Sequence, residues 1–525
     1  MIPYVKPMSF SLAADVRWSF LRCMAWIATG TLLGVAIICA GLKAAVLLGL
    51  GLFCIIMARP RIGLFLTIFV IFTLANPGVF GPKVGDAFCN VAHLLVIVSL
   101  LAVTWHFFTR RLQAVLTRAT AGFLLFCLIA LGSVLYASNP QVAWDDLLHF
   151  APFICLYLLT IHLTKTPKQV EKCILLLFIV SGVASAVAVL QYFCPVYHVD
   201  TSTWHLKFGQ QGAGIIESLG TGAMTIVRVS GTLWHPDWLA LFLVTTLPFN
   251  LYIWRHSPSN VVKISVLAVT ATELAALVLT FTRMSFLGLL FILALACYKR
   301  LLHLPKLLPA LVPAALIAFL LLPAGYKARV LSPVQLKASD SISSRLVLQK
   351  GGLRIFQDNW LLGVGYGNFG VEFNKQNNWL TDLSSDLERF GSTFDPNTAG
   401  AHNMYLEVAV ETGIVGLTLL IIALSMCVKR CGQLETYYRL ANLSEYADLA
   451  AVLQISLLAF LFLAVFLHAL DQKILAVLMG LSVAFEVATW PEHNLLARPQ
   501  TSENTIGSSR SYCARQLQMR NRHEL

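Results

Sequence analysis

The residues best suited to chemistry in this chain are His402-Asn403-Met404-Tyr405-Leu406-Glu407, followed by Glu411-Thr412-Gly413 and then Gly416. Histidine is the side chain whose charge changes most readily near neutral pH. Here it stands where a long polar stretch re-enters an apolar run. Glu407 and Glu411 lie one helical turn apart, so on a helix they share a face. They either orient the imidazole or complement the helix dipole. Three arginines stand upstream: Arg228 in Arg228-Val-Ser-Gly-Thr-Leu-Trp-His235-Pro-Asp-Trp238, Arg283 in Thr280-Phe-Thr-Arg-Met-Ser285, and Arg345. Guanidinium groups grip phosphate oxygens bidentately and remain charged. Taken singly, each arginine also suits a residue that snorkels to a membrane surface.

The elements that must position these residues are membrane helices. The chain has 525 residues, of which 57% are hydrophobic and 12% charged, with a mean hydropathy of +0.73. A soluble protein carries roughly 25% charged residues. Apolar stretches of about 20 residues suffice to cross a bilayer, whereas barrel strands would alternate over about 10 residues. The expected fold is therefore an all-α polytopic membrane protein with about 12–14 transmembrane helices and one large extracytoplasmic loop. The spans read near 23–41, 44–58, 62–80, 88–108, 119–137, 146–163, 173–194, 233–254, 261–281, 284–299, 306–323, 402–428, 449–468 and 472–489. In domain terms this gives a cytoplasmic N-terminus at 1–22, a helix bundle at 23–323, a large loop at 324–401, further spans at 402–489 and a disordered basic tail at 490–525.

Loop charge orients the bundle. Arg59 and Arg61, Arg110 and Arg111, Lys165 and Lys168, Arg255 and Lys263, Lys299 and Arg300, and Lys429 and Arg430 fall in alternate short loops. By the positive-inside rule those loops and both termini are cytoplasmic. Arg228, Arg283, Arg345 and His402 then all belong to the outer face. The net charge of +12 is scattered between apolar runs, so no nucleic-acid surface is expected. The 12 cysteines show no metal-ligand spacing and read as packing residues.

Around the arginines, Ser341 through Ser344 signal a helix start. That helix should end near Asp358-Asn359, with Arg345, Gln349, Gly352 and Phe356 on one face. Gly363-Val-Gly365-Tyr-Gly367 reads as a tight turn, since it lacks the Gly-x-Gly-x-x-Gly spacing of a dinucleotide loop. His235, before a proline, reads as structural. Asp145-Asp146 is the one adjacent acidic pair on the outer face and reads as a helix start, so neither metal nor other cofactor is expected. Cations and one histidine at a membrane surface suit a lipid pyrophosphate carrying a sugar. Charge builds on its leaving group, where fixed cations stabilise it, while a neutral histidine takes the acceptor's proton.

The His402-to-Gly416 string, the Arg345-to-Gly365 block, Thr280-Phe-Thr-Arg283 and the Arg228-to-Trp238 stretch together resemble the bacterial O-antigen ligase-like superfamily of ligases and lipid-linked glycan polymerases. The resemblance covers about 220–425. It implies an inverting, metal-independent glycosyltransferase of the inner membrane, with an undecaprenyl pyrophosphate-linked glycan as donor. Arg228 and Arg345 would bind the pyrophosphate with Arg283 beside them, and His402 would be the base. Asn403, Glu407 and Glu411 would support it. The acceptor would be a lipid A-core sugar for a ligase or a second lipid-linked glycan for a polymerase. An inorganic-carbon transporter is the alternative, for which broken helices and ionisable residues near the midplane would be expected; Lys43 is the candidate there.

Overall fold

Proline is well placed at a first helical position, where its missing N–H is no loss and its φ is preset. The chain uses it repeatedly. In the computed structural model, proline opens α2 (Pro60–Thr73), α3 (Pro82–Phe108), α5 (Pro140–Leu163), α6 (Pro167–Phe193) and α7 (Pro236–His256). Side chains cap several starts. Asn139 accepts from the backbone N–H of Gln141 and Val142 at α5, and Thr117 accepts from Thr120 at α4 (Arg118–Gly132). Such caps satisfy donors that have no partner within the helix.

The structure describes residues 49–74, 82–109, 112–193, 225–233, 235–302, 340–375 and 400–496, with short strand segments between 199 and 218. The remaining helices are α1 (Gly49–Ala58), α8 (Asn260–Leu279), α9 (Arg283–Tyr298), α10 (Asp340–Asp358), α11 (Phe369–Lys375), α12 (Met404–Leu440), α13 (Ser444–Leu463) and α14 (Lys473–Leu496). Two small antiparallel hairpins, β1–β2 (Val199–Asp200, His205–Leu206) and β3–β4 (Ile216–Ser218, Thr225–Val227), lie in the connection between α6 and α7. Among the described residues, 8 helices are long and apolar enough to cross a membrane, and α1, α2 and α9 are shorter apolar helices. The chain is an all-α, multi-pass membrane protein. The expected spans near 23–41 and 306–323 fall outside the described residues, as do residues 376–399 of the large loop, Lys43 and the tail beyond 496.

Helix–helix contact in a bilayer rests on close packing and internal polar bonds, and both occur. The α12 helix packs on α4, α10 and α13; α13 packs on α7, and α14 on α5. Gly122 of α4 sits directly over Ala423 of α12, where an added Cβ would already be at 3.6 Å. Between α4 and α5, Phe123, Phe126, Phe150, Phe153 and Tyr157 form a ring cluster with T-shaped contacts at 5.0–6.5 Å. Each such pair contributes about 0.5–1.5 kcal/mol beyond its burial. Within the spans, fully buried Glu273 of α8 accepts hydrogen bonds from Ser181 of α6 and Asn250 of α7. That carboxyl ties three helices together. At the bundle end away from His402, buried Asp448 accepts from Arg255 and His256 of α7, fastening α7 to α13.

Two features shape the end that carries His402. First, α12 is broken at Gly413, whose φ of 65° and ψ of −172° interrupt the helical path. The carbonyls and amides released there are taken by the segment 360–365. Trp360 O accepts from Ile414 N–H, while Val364 and Gly365 N–H donate to Val410 O and Glu411 O. Second, this docking is so close that Gly363 (φ 76°) has Glu411 backbone 2.5 Å from where a Cβ would stand. Any other residue at Gly363 would collide as well as strain.

Candidate active site

Arg228 reaches its place because the segment before α7 is fastened on three sides. Gln191 of α6 pairs both ways with Gly231, at 2.8 and 3.0 Å. Thr232 Oγ1 donates to Phe72 O at 2.6 Å, and Val229 N–H donates to Leu279 O. The backbone then turns at His235, whose Nδ1 accepts from Asp237 N–H and caps α7. His235, read as structural from the sequence, is the capping residue of α7.

Asp237, in the first turn of α7, is the centre of the site. One carboxylate oxygen accepts from Arg228 Nη2 at 2.6 Å and the other from Arg345 Nη2 at 3.0 Å. Arg228 also donates from Nε to Thr280 O at 3.0 Å. The Arg228 side chain is only 9% exposed and Arg345 is 30% exposed. The first is spent on the protein frame, and the second keeps donor capacity toward the outside. Arg345 reaches Asp237 from α10, whose Val347, Leu348 and Ile355 pack with Phe369 and Phe373 of α11. The helix ends at Asp358, as its sequence suggested. Arg283 is half-buried and opens α9 just after Thr280-Phe281-Thr282, the short link that supplies Arg228 with its carbonyl. Phe281 there holds φ at 52°, an uncommon value for a large side chain.

His402 lies just before α12, with φ at 48°. Its neighbours hold that strained backbone. Asn403 is the N-cap, accepting from Tyr405 and Leu406 N–H at 3.0 and 3.1 Å. Glu407 accepts from Ala401 N–H at 2.9 Å. Met404 N–H donates to Ala464 O, and Tyr405 Oη to Leu461 O, which draws in the turn after α13. The His402 ring meets His468 from that turn edge-on at 5.2 Å, and His468 meets Trp238 at 6.0 Å. Burial first, and then the Arg345 charge, push the His402 imidazole down to about 3. Burial also lowers His468 and His235 below the ordinary histidine range, against the opposing pull of Asp471 and Asp237 respectively. The His402 ring is neutral at pH 7.

Of the residues singled out in the sequence, Arg228, Arg345, His402, Asn403 and Glu407 are brought together here, and Arg283 starts beside Arg228's anchor. Glu411 is placed differently. Its carboxylate accepts from Phe369 N–H and clamps the glycine turn and the start of α11, so it organises the loop and not the imidazole. Asp146 packs against Gly367 of the same turn. Gly363, Gly365 and Gly367 all have positive φ, in keeping with the tight turn expected. Sequence reasoning gave no role to Asp237 or His468. An acid at the start of a helix and nine residues after an arginine was the available signal for Asp237; His468 had none.

Fold and site together define a membrane-embedded class: a helical bundle carrying paired arginines and a neutral histidine at one mouth. Residues 266–421 match the family model described as O-Antigen ligase, a stretch that holds Arg283, Arg345 and the His402-to-Gly416 string. Over those residues the chain is similar to the O-antigen ligase family, which supports an O-antigen ligase-like reading of this region. No curated protein matches the chain.

Proposed function

We propose that this protein transfers a glycan from undecaprenyl pyrophosphate to a sugar hydroxyl at the outer face of the bacterial inner membrane, with inversion and without a metal. The observation that carries the reading is the junction at Asp237, where Arg228 and Arg345 meet next to a buried neutral imidazole. In the reaction the acceptor O–H breaks, its oxygen bonds to the glycan's anomeric carbon, and the anomeric C–O bond to phosphate breaks. Undecaprenyl pyrophosphate leaves with the electron pair, and the proton goes to His402. Arg345, together with Arg283, supplies the positive charge that a divalent ion supplies in other transferases. Arg228 fixes Asp237, and Asp237 fixes Arg345.

A base held at about 3 is weak in the empty site. An anionic donor paired with Arg345 cancels that neighbour's repulsion and makes His402 more basic only when it is needed. Both acceptors, a lipid A-core sugar and a second lipid-linked glycan, fit this chemistry. The test is transfer by purified protein in lipid, supplied with undecaprenyl pyrophosphate-linked glycan in the presence of EDTA. Acceptor-dependent release of undecaprenyl pyrophosphate is expected; a protein inert with both acceptors contradicts the reading.

Sidedness has its own expected result. Reporter fusions after Arg110, Lys299 and Arg430 should report cytoplasm, and one at Ser384 the outside. A cytoplasmic signal at Ser384 would put the site on the wrong face for such a donor.

A further inference from the structure

The last turn of the bundle adds a residue to the site that lies outside the family match, His468 between α13 and α14. Its ring stands edge-on to His402 at 5.2 Å and flanks Trp238 at 6.0 Å. The backbone before His402 presses on it, since a Cβ on Gly400 would sit 3.2 Å from His468 Cβ. Among the described residues, Nδ1 of His402 and Nδ1 of His468 are both buried with no hydrogen-bond partner. A buried polar atom without a protein partner is costly, and two of them stand on neighbouring rings here. Arg345, held on Asp237, charges the same neighbourhood.

We propose that His468 and His402 together form an acceptor-hydroxyl subsite, which takes two neighbouring hydroxyls of one sugar ring. A hydroxyl both donates and accepts, so it satisfies either imidazole tautomer. His402 receives the proton of the hydroxyl that reacts. His468 bonds the hydroxyl next to it and fixes which oxygen is presented. The indole of Trp238, half-buried beside His468, offers the flat apolar wall that a sugar's C–H face needs. Arg345 and Arg283 hold the donor, so the donor and acceptor halves of the site are separate. This inference rests on the transfer reaction proposed above.

The experiment uses the full chain in lipid with undecaprenyl pyrophosphate-linked glycan as donor. The acceptor is lipopolysaccharide lacking its O-glycan in one arm and the lipid-linked glycan itself in the other. Two rates are read: transfer to sugar, and hydrolysis of the donor by water. His468→Phe keeps a ring against Trp238 and His402 but removes both nitrogens. Transfer should fall on the order of tenfold, through a raised acceptor KM, while hydrolysis and donor KM stay within about twofold of wild type. His468→Asn, which restores a polar group near Nδ1, should recover part of the transfer. Transfer and hydrolysis falling together in both variants would make His468 a packing residue and overturn the subsite. Unchanged transfer in His468→Phe overturns it as well, with the donor reaction left standing. A wild-type chain inert toward this donor overturns both.

Discussion

Arg345→Ala is expected to remove glycan transfer while leaving the protein in the membrane at normal level. Arg345 lies at the start of a helix held by its own apolar core, including Val347, Leu348 and Ile355. Its 30% exposed guanidinium makes one bond to Asp237, so folding does not hinge on it. Each charge-assisted bond lost to the pyrophosphate costs about 1.5–3 kcal/mol, and two such bonds reduce the rate by several hundredfold or more. Arg345→Lys should rescue poorly, because an ammonium cannot serve Asp237 and a phosphate through one planar fork. Arg228→Ala is expected to be equally inactive for a different reason. Its partner Asp237 is 6% exposed, and removing one member of a buried pair costs on the order of 3–5 kcal/mol. Measured transfer against protein level separates the two: Arg345→Ala loses rate alone, and Arg228→Ala loses rate with thermal stability in detergent. Full activity in both variants at normal level would remove the pyrophosphate role.

The parts of this site that follow from local chemistry were legible in the sequence. Asn403 is a cap residue at a helix start, Arg345 follows a helix-start signal, and Gly363 through Gly367 have the spacing of a turn. Hydropathy likewise marks where spans lie. It does not say which spans touch, since length and apolarity are common to all of them. Asp237 was therefore hidden, as its value lies in receiving Arg345 from a distant helix. His468 was hidden for the same reason, being brought to His402 by bonds from Met404 and Tyr405 to the end of α13. Glu411 shows the converse. Its spacing from Glu407 suggested a shared task, yet the break at Gly413 brings in the loop at 360–369, and Glu411 serves that loop. Glu273 is an intramembrane acid of the kind a transporter would need. Here it is engaged by Ser181 and Asn250 as a tie between helices.

The central claim is that His402 accepts the proton as a neutral base, and its pH dependence tests this most directly. A histidine pushed down to about 3 is almost wholly neutral from about pH 5 upward. The ordinary histidine titration is then absent from His402 in the free protein. Each phosphate of such a donor carries one ester bond and the anhydride bridge, so the second ionisation near pH 6 of a phosphate monoester is absent too. Transfer by purified protein in lipid should therefore show kcat/KM flat from pH 8 to about 5, because that parameter reports the free enzyme. It should fall only at more acid pH, as His402 gains its proton, and His402→Gln should lose roughly 100-fold or more across the whole range. Near-native turnover in His402→Gln with the wild-type pH profile would contradict the general-base role.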